Sequence, residues 1–278
     1  MKLSRLFAAI VMATWMAATP VSADSSATVT EAVNDVSHGS KNSGKSPAHV
    51  GTAVFDGQYL ETGMQSRAEI RLPTASITRL GANTSFNYSV GSNTVDLREG
   101  VILFCKPKNS TTTLRVETAA VTAGITGTTG FMSVTGSGKK KTYVFGIIEG
   151  HAVASADGKP FLVTTGEIIE FRPGMQPFKF AFDVPRFVKS SPLLHKYKST
   201  LPNQSAIDHA VAEYNDDLSR GFITKPKGSI DYSGDIPVLA NVAFDSAQNA
   251  KGRPTAQPTA PPPPPPPSGT YSPSSFGP

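Results

Sequence analysis

Ala68-Glu69-Ile70-Arg71-Leu72 sets an apolar residue at every second position, and Leu114-Arg115-Val116-Glu117-Thr118 repeats the pattern. A period of two puts Ala68, Ile70 and Leu72 on one face of a strand and Glu69 and Arg71 on the other. Each segment therefore reads as a strand with one buried face. Working outward, short apolar runs divided by Gly, Asn, Asp or Pro fill the chain from about His49 to Pro173. Some are solidly apolar, such as Tyr143 to Ile148 and Ile168 to Phe171. Those suit strands covered on both faces or in a sandwich interior. β-branched and aromatic residues dominate the runs, and no useful length has a helical period. The fold class expected is all-β, a β-sandwich or β-roll of short antiparallel strands.

The flanks differ in texture. Residues 1–23 have a positive start at Lys2 and Arg5, an apolar run from Leu6 to Ala18, Pro20, and a small-residue exit at Val21-Ser22-Ala23. That is the pattern of a cleaved signal peptide. The run is about thirteen residues, and a spanning helix needs roughly 20. Residues 24–47 are rich in Ser, Asn, Gly and Lys and read as a flexible lead-in, with at most one short strand or helix. The β domain is expected over 48–183, with Phe178, Phe180 and Phe182 in a last strand. A helical extension follows over 184–222. Ser191-Pro192 suits a helix start, and Asn203 or Ser205 suits a cap. Ile207, Ala210, Val211, Tyr214 and Leu218 then fall at helical spacing before Gly221, a stripe expected to dock on the β domain. Residues 223–278 read as a disordered Pro-rich tail in which no core forms, with seven consecutive prolines from Pro261 to Pro267.

Charge and cysteine content narrow the function. The net charge is +5, and loss of Lys2 and Arg5 would leave about +3. This mild bias is no nucleic-acid signature. The run Lys139-Lys140-Lys141 follows Gly136-Ser137-Gly138 and reads as a solvated hairpin loop. Cys105 is the single cysteine, so no intramolecular disulfide can form. It is expected to pack as a small apolar residue.

No motif supplies chemistry. Gly124-Ile125-Thr126-Gly127-Thr128-Thr129-Gly130 lacks the Gly-Lys-Ser/Thr of a phosphate loop, and another strand follows it at Phe131. His38, His49, His151, His195 and His209 have no second ligand at metal spacing. Glu99-Gly100 and Glu149-Gly150 belong to a faint repeat, Leu97 to Leu103 against Ile147 to Val153. A bend or bulge at each glycine is expected, with each glutamate facing water. No catalytic, cofactor-binding or metal residue is assigned. A site dispersed along the chain would escape this reading, because such residues converge only in space.

Several blocks, in order, resemble the FecR domain. They are Gly51-Thr52-Ala53-Val54, Leu60-Glu61-Thr62-Gly63, Ser66 to Ile70, Arg79 to Thr84, and Leu97-Arg98-Glu99-Gly100. Val116 to Val121 follows, then Ile125 to Thr128 with Phe131, then Val144 to Gly150 and Val163 to Glu167. The resemblance spans Val50 to about Pro173. It implies an all-β domain outside the inner membrane, best known in regulators that pass a signal from an outer-membrane receptor to an anti-sigma or sigma factor. Those regulators carry a cytoplasmic segment and a true span, and neither is expected here. The expectation is therefore a non-enzymatic, exported binding or scaffold module, periplasmic or secreted. Its partner would be a protein or an envelope glycan, with no cofactor and no membrane span after signal cleavage. The alternatives are a periplasmic signalling subunit beside a separate membrane transducer, and an enzyme with a dispersed site.

Overall fold

The computed structural model describes residues 26–226 and 230–239. The expected signal peptide and the proline run lie outside these residues. In chain order the strands are β1 (Ala27–Val33), β2 (Val36–Gly39), β3 (Ser46–Pro47), β4 (Ala53–Val54), β5 (Tyr59–Thr62) and β6 (Arg67–Arg71). Then come β7 (Ile77–Leu80), β8 (Ser85–Ser89), β9 (Thr94–Cys105), β10 (Leu114–Glu117), β11 (Val121–Ile125) and β12 (Thr129–Thr135). β13 (Thr142–Glu149), β14 (His151–Ala156), β15 (Lys159–Thr164), β16 (Glu167–Phe171) and β17 (Phe178–Ala181) follow. Three helices close the chain, α1 (Val184–Ser190), α2 (Pro192–His195) and α3 (Gln204–Ser219), before the small pair β18 (Ile230–Asp231) and β19 (Val238–Leu239).

β1 to β17 make two layers that share one strand. The first sheet runs β4-β1-β6-β7-β9-β12-β13-β16-β17. The second runs β3-β2-β5-β8-β9-β10-β11-β14-β15. Thr94–Glu99 of β9 pairs in the second sheet and Gly100–Cys105 in the first. The sandwich is therefore a mixed sheet folded at Gly100. Pairing is antiparallel except between β9 and β10, where Arg115 lies opposite Thr94 in a parallel register.

The repeat seen in the sequence marks two corners. Gly100 has φ +89° and Gly150 has φ +87°, a left-handed conformation that favours glycine. The register shifts just before each one, opposite Ser85/Phe86 and opposite Thr129/Gly130. A threonine closes each corner. Thr84 Oγ1 accepts from Val101 N–H and donates to Val101 O, and Thr128 Oγ1 donates to His151 O.

Two cores explain the two textures. Ile70, Ile102, Phe104, Phe145 and Ile169 of the first sheet meet Leu60, Phe86, Leu97, Val116 and Val163 of the second. The far face of the first sheet, through Leu103, Cys105, Phe131, Val144 and Ile168, packs on Phe182, Phe187, Leu193, Leu201 and Ile207. Its strands are covered on both faces and so read as continuous apolar runs. The second sheet leaves one face to water, so β10 and β14 alternate.

Two expectations change. β1 and β2 are integral strands within 24–47, paired to β6 and β5, because Ala27, Val29 and Val36 are core residues. Core contacts also pass Thr224, since Tyr232 and Ile236 are buried in the second cluster. α2 begins at Pro192 with Ser191 before it, as expected, and α1 precedes it, with Asp183 Oδ1 accepting from Arg186 N–H as its cap. The expected helical stripe docks through Ile207, Ala210, Val211 and Tyr214, and Gly221 follows α3 with φ +74°.

Candidate functional site

The outer face of the first sheet carries a lateral row in which Glu31 faces Glu69, Glu69 faces Arg79, Arg79 faces Leu103, and Leu103 faces Phe131. One end of this row is polar and the other apolar. The segment 193–203 crosses it. Glu69 and Arg79 are each 1% exposed, and Arg79 Nε donates to Glu69 Oε2 at 2.9 Å. Arg79 also donates to Leu193 O and Ser199 O, while Ser199 Oγ and Thr30 Oγ1 donate to Glu69. The guanidinium lies 4.5 Å from the Tyr197 ring centre. Burial alone would push the Glu69 carboxyl up. The bonds from Ser199, Arg79 and Thr30, with Arg79's charge, outweigh it and hold the group below the usual carboxylate range.

Two further buried glutamates hold the same segment. Glu31 Oε2 accepts from Lys198 N–H. Glu149 Oε1 accepts from Asn203 Nδ2 at 2.8 Å and from Thr129 Oγ1 at 3.1 Å. Asn203 thus precedes α3 as expected, but its side chain bonds across to the sheet instead of capping the helix. Glu149 is 2% exposed. The expectation that both corner glutamates face water holds for Glu99 and fails for Glu149, because the chain from Leu201 onward covers the second corner.

Beside this network lies a groove of about 410 Å³. Its sheet wall is Asn34, Gln65, Ser66, Arg67, Gly81 and Ala82, and its helical wall is Pro192, Leu193, Lys196, Tyr197 and Asp235. Arg67 Nε is 3.4 Å from Glu31 Oε1, and the guanidinium stacks 5.8 Å from the Tyr197 ring centre. Tyr197 O–H donates to Leu80 O at 2.7 Å. Asp235 sits over Gly81, where a Cβ would collide with its Oδ2 and with Val101. Burial pushes the Asp235 carboxyl up, against the opposing pull of Lys196 and of the Ala82 N–H.

The residues singled out from sequence do not converge here. His49, His151, His195 and His209 are exposed and apart, and His38 is half-buried on β2. Among the described residues no group of His, Cys, Asp and Glu is arranged to hold a metal. Cys105 is fully buried, and burial pushes its thiol up. Gly124 to Gly130 is strand, turn and strand, and the lysine run sits in the β12–β13 connection, where Gly138–Lys140 forms a 3-10 turn. Arg67, Lys196, Tyr197 and Asp235 are not marked by the sequence, since they come from three separate parts of the chain with no motif spacing between them.

The family model described as FecR protein matches the chain from residue 58 to residue 153. This stretch is the FecR region of the chain. It begins just before β5 and ends within β14, inside the Val50–Pro173 span of the resemblance. Arg67, Arg79, Gly81 and Ala82 lie within the FecR region. Asn34, Lys196, Tyr197 and Asp235 lie outside it. Two crystal structures, at 1.65 and 2.50 Å resolution, of a protein described as a "putative anti-sigma factor" from Parabacteroides distasonis ATCC 8503 are similar over part of the chain. Each is 14% identical with a TM-score of 0.41, over 46% of this chain and 61% of that one. The chain thus spans less than two thirds of their length. No curated protein matches the chain. No described helix is long and apolar enough to cross a membrane.

Proposed function

We propose that this chain is a non-catalytic, exported FecR-type binding module of the cell envelope, periplasmic or secreted, which holds a segment of a protein partner in the groove. The observation that carries this reading is the groove itself. Its two walls come from the FecR region and from the C-terminal segment, and the buried Glu69–Arg79 network fixes one against the other. Preorganised walls lower the entropy lost on binding. Its volume is within the range of small ligand sites, and its polar groups are few and convergent. A protein partner is preferred to a glycan because the groove presents cations beside an aromatic ring.

The test is recovery of partners from envelope fractions with the mature chain, against a variant whose groove is filled, Ala82→Trp. A protein captured by the wild type and lost with the variant is the expected result. Turnover of a substrate by the purified chain, abolished by replacing one acidic or histidine residue, would end the reading.

A second reading follows from the FecR match, that of a signalling subunit working beside a separate membrane transducer. It expects a membrane protein among the groove-dependent partners. A repeated envelope preparation that yields only soluble partners counts against it.

A further inference from the structure

The groove's cations are not equally occupied. Asp235 is engaged by the Ala82 N–H, and Glu31 by the Lys198 N–H. Arg67 has an ion-pair contact through Nε, but that atom is buried with no hydrogen-bond partner, and so is the facing Glu31 Oε1. Among the described residues, neither the Arg67 guanidinium nor the Lys196 ammonium donates a hydrogen bond to protein, although both side chains line the groove. The Arg67 side chain is 29% exposed, and Lys196 is exposed. Tyr197 lies under the guanidinium. The site therefore holds two cationic side chains with unused N–H donors, each near a carboxylate, Glu31 at Arg67 and Asp235 at Lys196, that is already bonded to a backbone N–H.

We propose that the groove binds a carboxylate carried by a peptide segment, with the carboxylate oxygens accepting from the Arg67 guanidinium and the Lys196 ammonium. This rests on the binding-module reading and names the chemistry that the groove selects. A planar fork of guanidinium N–H groups matches the two oxygens of a carboxylate, and the ammonium adds a movable point charge. Glu31 and Tyr197 together fix the Arg67 plane, so little freedom is lost on binding. Asp235, held over Gly81, repels the ligand's charge from the far side and directs it toward Arg67. The carboxylate can be a chain terminus or an Asp or Glu side chain, and the chemistry is the same.

The experiment measures fluorescence anisotropy of the mature full-length chain with three fluorescein-labelled peptides. These are tetra-alanine with a free C-terminus, tetra-alanine amide, and Ala-Ala-Glu-Ala amide. The free-acid peptide or the Glu peptide should bind at least about 10-fold more tightly than tetra-alanine amide, the scale of losing one charged hydrogen bond. Which of the two binds identifies terminus or side chain, and either supports the proposal. Lys196→Gln, on an exposed side chain that leaves the fold untouched, should weaken that binding about 10-fold, and Arg67→Gln at least as much. Lys159→Gln, remote on β15, should leave it unchanged. Equal binding of acid and amide forms would overturn the carboxylate assignment while leaving the groove as a binding site. No binding of any peptide, binding indifferent to Lys196→Gln, or displacement by inorganic phosphate at lower concentration than by acetate would also overturn it.

Discussion

Glu69 and Arg79 lie directly opposite each other on β6 and β7 and form an ion pair closed to water, each 1% exposed. Burial of a lone charge is far more costly than burial of a bonded pair. Arg79→Met leaves Glu69 without its cation beneath Tyr197 and Ser199. The expected loss is about 3–5 kcal/mol, read from the urea midpoint at constant m-value. The double replacement Glu69→Leu with Arg79→Met should recover a large part of that loss, since no charge then remains buried. A double variant as unstable as Arg79→Met alone would contradict this account.

The same pair sets a pH dependence. Glu69 has a folded-state pKa below its unfolded value, so its stabilisation is fully present above the unfolded value, about 4.3. It is lost as pH falls below that value through the folded pKa. Asp235 is shifted the other way, so its protonation on acidification favours the folded state. Urea midpoints between pH 6 and pH 3 should fall, and the fall should be smaller in Glu69→Gln. An identical slope in both proteins would remove Glu69 from the explanation.

Phe131 on β12 meets Phe182 and Phe187 at ring-centre distances of 5.7 and 5.1 Å. The C-terminal segment is thus part of the core. Phe187→Ala should cost about 3–5 kcal/mol. A chain cut after Asp183 uncovers Leu103, Cys105, Phe131 and Ile168, and should bind a hydrophobic dye and aggregate. A truncated chain that stays monomeric with an unchanged melting temperature would show the sandwich to be independent of α1 to α3.

The edge strand β15 is sealed against further pairing. Pro160 has no N–H, Lys179 Nζ donates to Leu162 O at 2.8 Å, and Thr164 N–H donates to Glu167 Oε2 at 2.8 Å. Lys179 and Glu167 are themselves 2.7 Å apart. Unprotected edges recruit strands from other chains. Replacing both Lys179 and Glu167 by alanine should produce concentration-dependent association in light scattering, absent from the wild type. A strictly monomeric double variant would show that Pro160 and strand length suffice.

Gly100 turns β9 from one sheet into the other at φ +89°, and a Cβ there would press on the Thr84 backbone. Gly100→Ala should destabilise by at least about 1–3 kcal/mol, from left-handed strain together with overpacking. Gly91, which has open space around its Cα and no positive φ, should tolerate alanine within about 0.5 kcal/mol.

Much of this molecule is legible along the chain, because strand periodicity and turn chemistry are local. Ala68, Ile70 and Leu72 announce a strand, Gly100 and Gly150 announce corners, and Ile207 to Tyr214 announce a docking helix. The continuous run Tyr143 to Ile148 even signals a strand covered on both faces. The fate of the polar positions is not local. Glu69 alternates with apolar neighbours as a water-facing residue does, and Glu149 sits at a turn, yet both are buried because residues 193–203 return from far along the chain to cover them. The groove is of the same kind, since Asn34, Arg67, Gly81, Lys196 and Asp235 meet only when the C-terminal segment packs on the first sheet. Spacing in sequence decides which side of its own strand a residue occupies. Only packing decides whether that side is left to water.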